Sequence, residues 1–156
     1  MTMALELTVL RDDGVGEAPA DDQFRAWAAA ALDARPVSLT IRLVDEAESR
    51  RLNAAYRGKD RATNVLSFPV DLPASVLEAL PARPLGDLAI CAPLVATEAE
   101  AQGKPVGHHW AHLTVHGVLH LLGHDHEQVA EAEAMEALEV SLLDRLGIPD
   151  PYRPVP

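Results

Sequence analysis

Apolar and polar positions alternate along LELTVL (5–10) and again along VSLTIRLVD, where Val37, Leu39, Ile41 and Leu43 share one side. A period of two predicts a strand in each segment. Between them DDGVGEAPA is a turn-rich connection, and Asp21 or Asp22 caps a helix through QFRAWAAAALDAR with Phe24, Trp27, Ala28, Ala31 and Leu32 inward. Pro36 follows its end. Glu46 to Tyr56 predicts a second helix, with Leu52, Ala55 and Tyr56 as core contacts. TNVLSFPV predicts a third strand whose later part, carrying Pro69, lies at an edge or strand end. DLPASVLEALPARP is a proline-punctuated excursion with a helical turn in the middle, and GDLAICAP predicts the fourth strand. Three helices follow: from about Pro93 to Gly103, from about Val106 to Leu122, and through EQVAEAEAMEALEVSLLDRLG. On the last, Val129, Met135, Leu138, Leu142, Leu143 and Leu146 fall near helical spacing. The order β-α-β-α-β-β-α-α-α predicts an α+β fold, one mixed sheet of about four strands packed with about five helices. Residues 1–156 are expected to form one domain with a short Pro-rich tail from about 149.

Composition narrows the function classes. The chain has 156 residues, 48% hydrophobic and 24% charged, and a formal net charge of −11, which disfavours non-specific attraction to nucleic acid or an anionic membrane. A local basic groove stays open. A single cysteine, Cys91, excludes an intrachain disulfide framework and fits a reducing, cytoplasmic setting. Its place in the apolar run DLAICAP predicts a buried, inert thiol. The amino-terminal residues show no basic stretch followed by a long apolar one, and no run of eighteen apolar residues occurs. Neither a secretory signal nor a membrane span is expected.

All seven histidines lie between 108 and 126, and HGVLHLLGHDH spaces His116, His120 and His126 as H-x3-H-x5-H. Four residues of α-helix turn by about 400°, so His116 and His120 share a face one turn apart. Two imidazoles so placed can hold one Zn²⁺ at about 2.0–2.1 Å per nitrogen. On a continuing helix His126 would stand about 9 Å further along the axis. Gly123 supplies the left-handed residue that ends a helix and lets the chain fold back. Three protein ligands leave a position open, the arrangement of catalytic zinc. His112 shares the face one turn earlier, but it and His120 lie about 12 Å apart along the axis. His112 therefore reads as a support behind the ligands or a proton shuttle, and Asp125 as an acceptor fixing a ligand imidazole. His108 and His109, near the helix start, are expected in solvent; His124 could face solvent, a substrate base or the metal.

The histidine spacing is also that of the metzincin proteases, H-E-x-x-H-x-x-G-x-x-H, so a metzincin-like zinc helix is expected. Gly117 stands where those proteases carry their general base. The metal scaffold is present and the peptidase base is missing. Over 116–126 the chain resembles the YbeY family of bacterial single-strand-specific endoribonucleases, whose signature is H-G-x-L-H-L-x-G-[YH]-D-H. LNAAYRGKDRATNVLSFPV (52–70) resembles that family's L-N-x-x-[YF]-R-x-x-x-x-x-T-D-V-L-S-F-P, and GDLAICAP followed by Glu98 resembles its third block. Asn64 departs from the family's usual aspartate. The resemblance spans about residues 37 to 147 and is weaker before them.

The resemblance implies that His116, His120 and His126 bind one Zn²⁺ and that Arg57 acts beside it. A phosphodiester needs its developing charge neutralised, and a guanidinium grips phosphate with paired hydrogen bonds. His116 and Arg57 are thus the expected catalytic residues, with Arg57, Lys59 and Arg61 forming a local basic strip for substrate. The implied activity is zinc-dependent cleavage of single-stranded RNA in 16S rRNA 3′-end maturation and ribosome quality control. Its implied partners are ribosomal RNA and the ribosome or small-subunit ribosomal proteins, with neither membrane nor DNA expected. Attack by water would leave 5′-phosphate and 3′-hydroxyl ends; attack by the RNA's own 2′-hydroxyl would leave a 2′,3′-cyclic phosphate. Two other classes stand behind this one: a metal-dependent hydrolase of another substrate, and a non-catalytic zinc-containing ribosome-assembly factor.

Overall fold

Four strands and six helices follow one another along the described residues of the computed structural model, which are 5–33, 35–124 and 128–153. They are β1 (Leu5–Arg11), α1 (Asp21–Ala30), β2 (Val37–Val44), α2 (Glu46–Arg57), β3 (Val65–Pro69), α3 (Ala74–Ala79), β4 (Arg83–Cys91), α4 (Ala92–Gln102), α5 (Val106–Leu121) and α6 (Val129–Arg145). The strands form one mixed sheet in the order β1-β2-β4-β3, parallel except where β3 runs antiparallel to β4. The expected α+β architecture is present, with the helical turn of the excursion forming the short α3. β3 is an edge strand, and Pro69 at its end costs no central ladder bond.

Strand alternation sorts the helices onto the two faces. Leu39, Ile41, Leu43, Leu88 and Ile90 point into the main core, which α1 fills with Phe24, Trp27 and Ala28, and α5 with Trp110, Leu113, Val115, Val118 and Leu119. On the other face Leu66 and Ala89 meet Leu52 of α2, with Phe68 packed against them. Cys91, the last residue of β4, is fully buried, and burial raises its thiol pKa. No described helix is long and apolar enough to cross a membrane.

Four local expectations are corrected. Ala20, not Asp21 or Asp22, precedes the first turn of α1; the Gln23 side chain accepts from the Ala20 N–H while both acids sit beside the positive helix end. The fourth strand starts at Arg83, because pairing of Val37 with Arg83 and Ser38 with Pro84 recruits residues that alone read as loop. On α2 the inward residues are Ser49, Leu52 and Asn53, whereas Ala55 and Tyr56 are exposed. Val129, the first residue of α6, is 77% exposed: a helix terminus projects beyond the layer it packs on.

Two glycines are demanded by close approach. The β2–β4 register shifts so that Leu39 meets Gly86 and Leu85 is left over. Gly86 takes φ 134°, and a Cβ there would lie 2.1 Å from the Phe68 carbonyl oxygen. At Gly117 a Cβ would lie 2.8 Å from Leu88 Cδ2 and 3.3 Å from Val65 Cγ2, so α5 rests directly on the sheet. A glutamate at this position would push a carboxylate into that packing, a physical reason for the missing peptidase base.

Gly86→Ala should cost about 3 kcal/mol in urea denaturation, from backbone strain and collision together. Gly117→Ala should cost on the order of 1 kcal/mol, because the helix propensity it gains offsets part of the overpacking; equal or raised stability would refute the close approach. Acid should also weaken the α2 anchor. Hydrogen bonds from Arg51 foremost, and from Arg42, outweigh burial and hold the Glu48 carboxyl at about 2. Its contribution is present above the ordinary carboxylate pKa and lost as pH falls towards 2. The melting temperature of Glu48→Gln should therefore fall below wild type at pH 7 and converge with it near pH 2.

Candidate functional site

Beyond its first turn α5 is buried along most of its length, and the exceptions form a line. Ala111, Leu113, Val115, Gly117, Val118 and Leu119 are buried, while His112, His116 and His120 are half-exposed at four-residue intervals. This spacing stacks the imidazoles one turn apart, with ring centroids 6.1 Å apart for His112–His116 and 4.6 Å for His116–His120. Nε2 of His116 and Nε2 of His120 approach to 3.1 Å. Beyond them the helix closes at Gly123, which takes φ 99°; the Gly123 N–H donates to the His120 carbonyl and the His124 N–H to that of Leu119. His126 and Asp125 lie outside the described residues.

Behind the ladder stands a residue absent from the sequence-based expectations. Glu139 of α6 is fully buried, and its carboxylate gathers three donors. His116 Nδ1–H donates to Oε1, while His112 Nε2–H at 3.1 Å and the Tyr152 hydroxyl donate to Oε2. Burial alone would raise the pKa of this acid, but hydrogen bonds from His112, His116 and Tyr152 hold it at about 2. Burial, followed by the Glu139 carboxylate, drives the Tyr152 hydroxyl pKa well upward. The acid's signal was its register: Glu139 falls between Met135 and Leu142 on the buried stripe of α6, where every neighbour is apolar. His112, His116 and Glu139 each bring a ligand atom within 4.8 Å of the others, a cluster able to hold a metal ion. A cavity of about 240 Å³ lined by His116, Ala132, Met135, Glu136, Glu139 and Tyr152 opens beside it.

Two readings of the surroundings change. His109, expected in solvent, is 4% exposed, and its Nε2–H donates to Glu98 Oε1 at 2.9 Å. Burial lowers its pKa against the opposing pull of Glu98. The same carboxylate accepts from Asn64 Nδ2 at 3.1 Å, while Asn64 Oδ1 accepts from the Val65 N–H. Asn64 thus presents a donor to an acid, which an aspartate there could do only by carrying a proton. The segment expected as a tail also folds back: Lys104 Nζ donates to the Pro151 carbonyl at 2.8 Å, and the Tyr152 ring meets His112 edge-on at 5.3 Å.

The basic strip belongs to the other face of the sheet. Arg57 ends α2, and Lys59 and Arg61 follow in the connection to β3. Buried Asn53 pins that connection, donating from Nδ2 to the Arg61 carbonyl at 2.9 Å and accepting at its own carbonyl from the Lys59 N–H. Ser49 Oγ donates to the Thr63 carbonyl at 2.7 Å and accepts from its N–H. Arg50 pairs with Asp60 and Arg51 with Glu48, yet Arg57, Lys59 and Arg61, all exposed, pair with no acid among the described residues. The structure therefore brings the histidines of α5 together on one face of the sheet, while Arg57 ends the helix that packs on the other and Lys59 and Arg61 follow it. Ser67 of β3, which donates from Oγ to the Gly117 carbonyl at 3.1 Å, links the strand to the histidine helix.

The family model described as Endoribonuclease YbeY matches residues 14–147. A protein named Endoribonuclease YbeY from Alkalilimnicola ehrlichii is 59% identical over 139 residues, which cover 86% of this chain and 82% of that one. Its namesake from Halorhodospira halophila is 56% identical over 138 residues, covering 87% and 89%. The solution structure of TM1509 from Thermotoga maritima superimposes with a TM-score of 0.52 at 21% identity, covering 95% of this chain and 99% of that one, and so shares the fold. With the family model matching residues 14–147 and relatives identical at more than half their aligned positions, the chain belongs to the YbeY family.

Proposed function

We propose that this chain is a zinc-dependent endoribonuclease of single-stranded RNA, acting in 16S rRNA 3′-end maturation and ribosome quality control. The observation that carries the reading is the 3.1 Å approach of the His116 and His120 Nε2 atoms, with the opposite nitrogen of His116 engaged by Glu139. Ligands about 2.0–2.1 Å from a tetrahedral zinc stand roughly 3.3 Å from one another, so the two nitrogens are spaced as its neighbouring ligands. A carboxylate on Nδ1–H leaves the Nε2 lone pair for the metal, the usual support of a zinc-bound histidine. His126 is the third ligand in this reading. When bound, zinc supplies Lewis acidity at the phosphodiester.

The chain's own residues bind and orient the RNA. Arg57 grips the phosphate with paired hydrogen bonds, and with no acid partner among the described residues that fork stays available. Lys59 and Arg61 extend the grip along the backbone despite the chain's −11 charge. Tyr56, 68% exposed and propped edge-on against Phe68 at 5.0 Å, offers an unpaired base a ring to stack on. In this reading the RNA strand crosses the β3 edge between cations and histidines. Ribosomal RNA and small-subunit ribosomal proteins are the partners this role requires, in the cytoplasm.

Cleavage of single-stranded ribosomal RNA by metal-quantified wild type, Arg57→Glu and His116→Ala tests the proposal. Arg57→Glu should stay folded and zinc-loaded yet lose at least about 100-fold in kcat/KM, the scale of one lost electrostatic stabiliser. Equal cleavage by all three would reveal a contaminating nuclease and favour an assembly factor. Lys59→Ala and Arg61→Ala should each weaken RNA binding and reduce the salt slope by about one charge, whereas Tyr56→Ala should weaken binding with the slope unchanged.

A further inference from the structure

We propose that Tyr152 and Glu139 form a latch that positions His116, the tyrosine hydroxyl steadying the buried carboxylate and the carboxylate aiming the His116 ring at the metal. The inference rests on the zinc reading above and deepens it. Glu139 occupies a place on the inner stripe of α6 where an apolar side chain would pack, so its charge must be matched by partners. Its division of labour is specific. Oε1 serves His116, while Oε2 takes both His112 and the Tyr152 hydroxyl. With one oxygen held from two sides, the other is fixed in direction, and the His116 ring cannot rotate without breaking its hydrogen bond.

Tyr152 reaches this place because its segment is tied at two points, to the connection before α5 and to α5 itself, and braced by a turn of its own. Lys104 Nζ holds the Pro151 carbonyl, the Tyr152 N–H donates to Asp150 Oδ1 at 2.8 Å, and the ring stands edge-on to His112. The segment after α6 thus reaches back to the helix that carries the metal ligands, bringing one hydroxyl to bear on one carboxylate. Of the two uses this cluster allows, Glu139 serves as support and not as ligand: Oε1 accepts from His116 Nδ1–H, and the metal meets the opposite nitrogen, Nε2. Tyr152 and Glu139 are therefore positioning residues, acting through His116.

Zinc affinity of the full chain, measured by competition with a chromophoric chelator, tests the latch in wild type, Glu139→Gln, Tyr152→Phe and the double variant. Glu139→Gln should bind zinc 10- to 100-fold more weakly, the usual effect of removing a ligand's support. Tyr152→Phe should lose several-fold, and the double variant no more than Glu139→Gln, because the hydroxyl acts only through the carboxylate. All should still take one zinc per chain at saturation, and Glu139→Asp should recover part of the affinity. Unchanged affinity in Glu139→Gln would overturn the proposal, including when only the melting temperature of the metal-free protein falls. Loss of stoichiometric zinc in Glu139→Gln would also overturn it, making Glu139 a ligand. His120→Ala binding zinc as tightly as wild type would instead sink the underlying site, an outcome separable from either.

Discussion

A buried carboxylate cannot stand alone, and Glu139 organises this molecule around that constraint. Removing an ion from water is offset only by close donors, and here they come from two turns of α5 and from the segment beyond α6. Meeting that need fixes how α6 lies on α5, which way two imidazoles face, and where the chain goes after its last helix. The carboxylate therefore belongs to the fold and to the chemistry at once. Apolar packing holds the layers together, but it does not select one rotation for a histidine; a directional hydrogen bond to an ion does.

The second organising feature is the edge of the sheet. β3 has one hydrogen-bonded neighbour, β4, and helices lie on both its faces, α5 against Val65 and Ser67, α2 against Leu66 and Phe68. Histidines and cations thus occupy separate elements that share a thin border. Separation has an electrostatic advantage. Cations packed beside imidazoles would repel a metal ion, whereas cations borne by a helix on the opposite face and the connection after it do not crowd them. Asn53 and Ser49, buried on α2, hold the connection that carries Lys59 and Arg61 by binding its backbone rather than its charges.

Much of this could be read from the residues, and the failures share causes. Periodicity located β1, β2, α1 and α6, because burial of one face imposes a period, while proline and glycine punctuation marked α4. The histidine spacing placed two imidazoles on one face of α5, since helical geometry is local. Tyr56 was misplaced because an aromatic residue on a helical stripe reads as core, whereas here the ring touches Phe68 at the edge strand and leaves most of its surface exposed. His109 was misplaced because its partner, Glu98, is eleven residues away on another helix. Glu139 and Tyr152 were missed for the same reason. A hydrogen bond between residues 27 or 40 positions apart, as His112 makes with Glu139 and with Tyr152, leaves no periodic trace.

The burial of Cys91 has a consequence for the metal itself. A thiolate is a softer donor than imidazole and would compete for zinc wherever it could reach the ion. Here the sulfur is sealed beneath the first turn of α4, and its raised pKa keeps it protonated. The single thiol is thus out of reach of an ion at the histidines and of oxidation by a redox-active one. A metal held by these histidines would then be selected by imidazole donors and their geometry rather than by a thiolate.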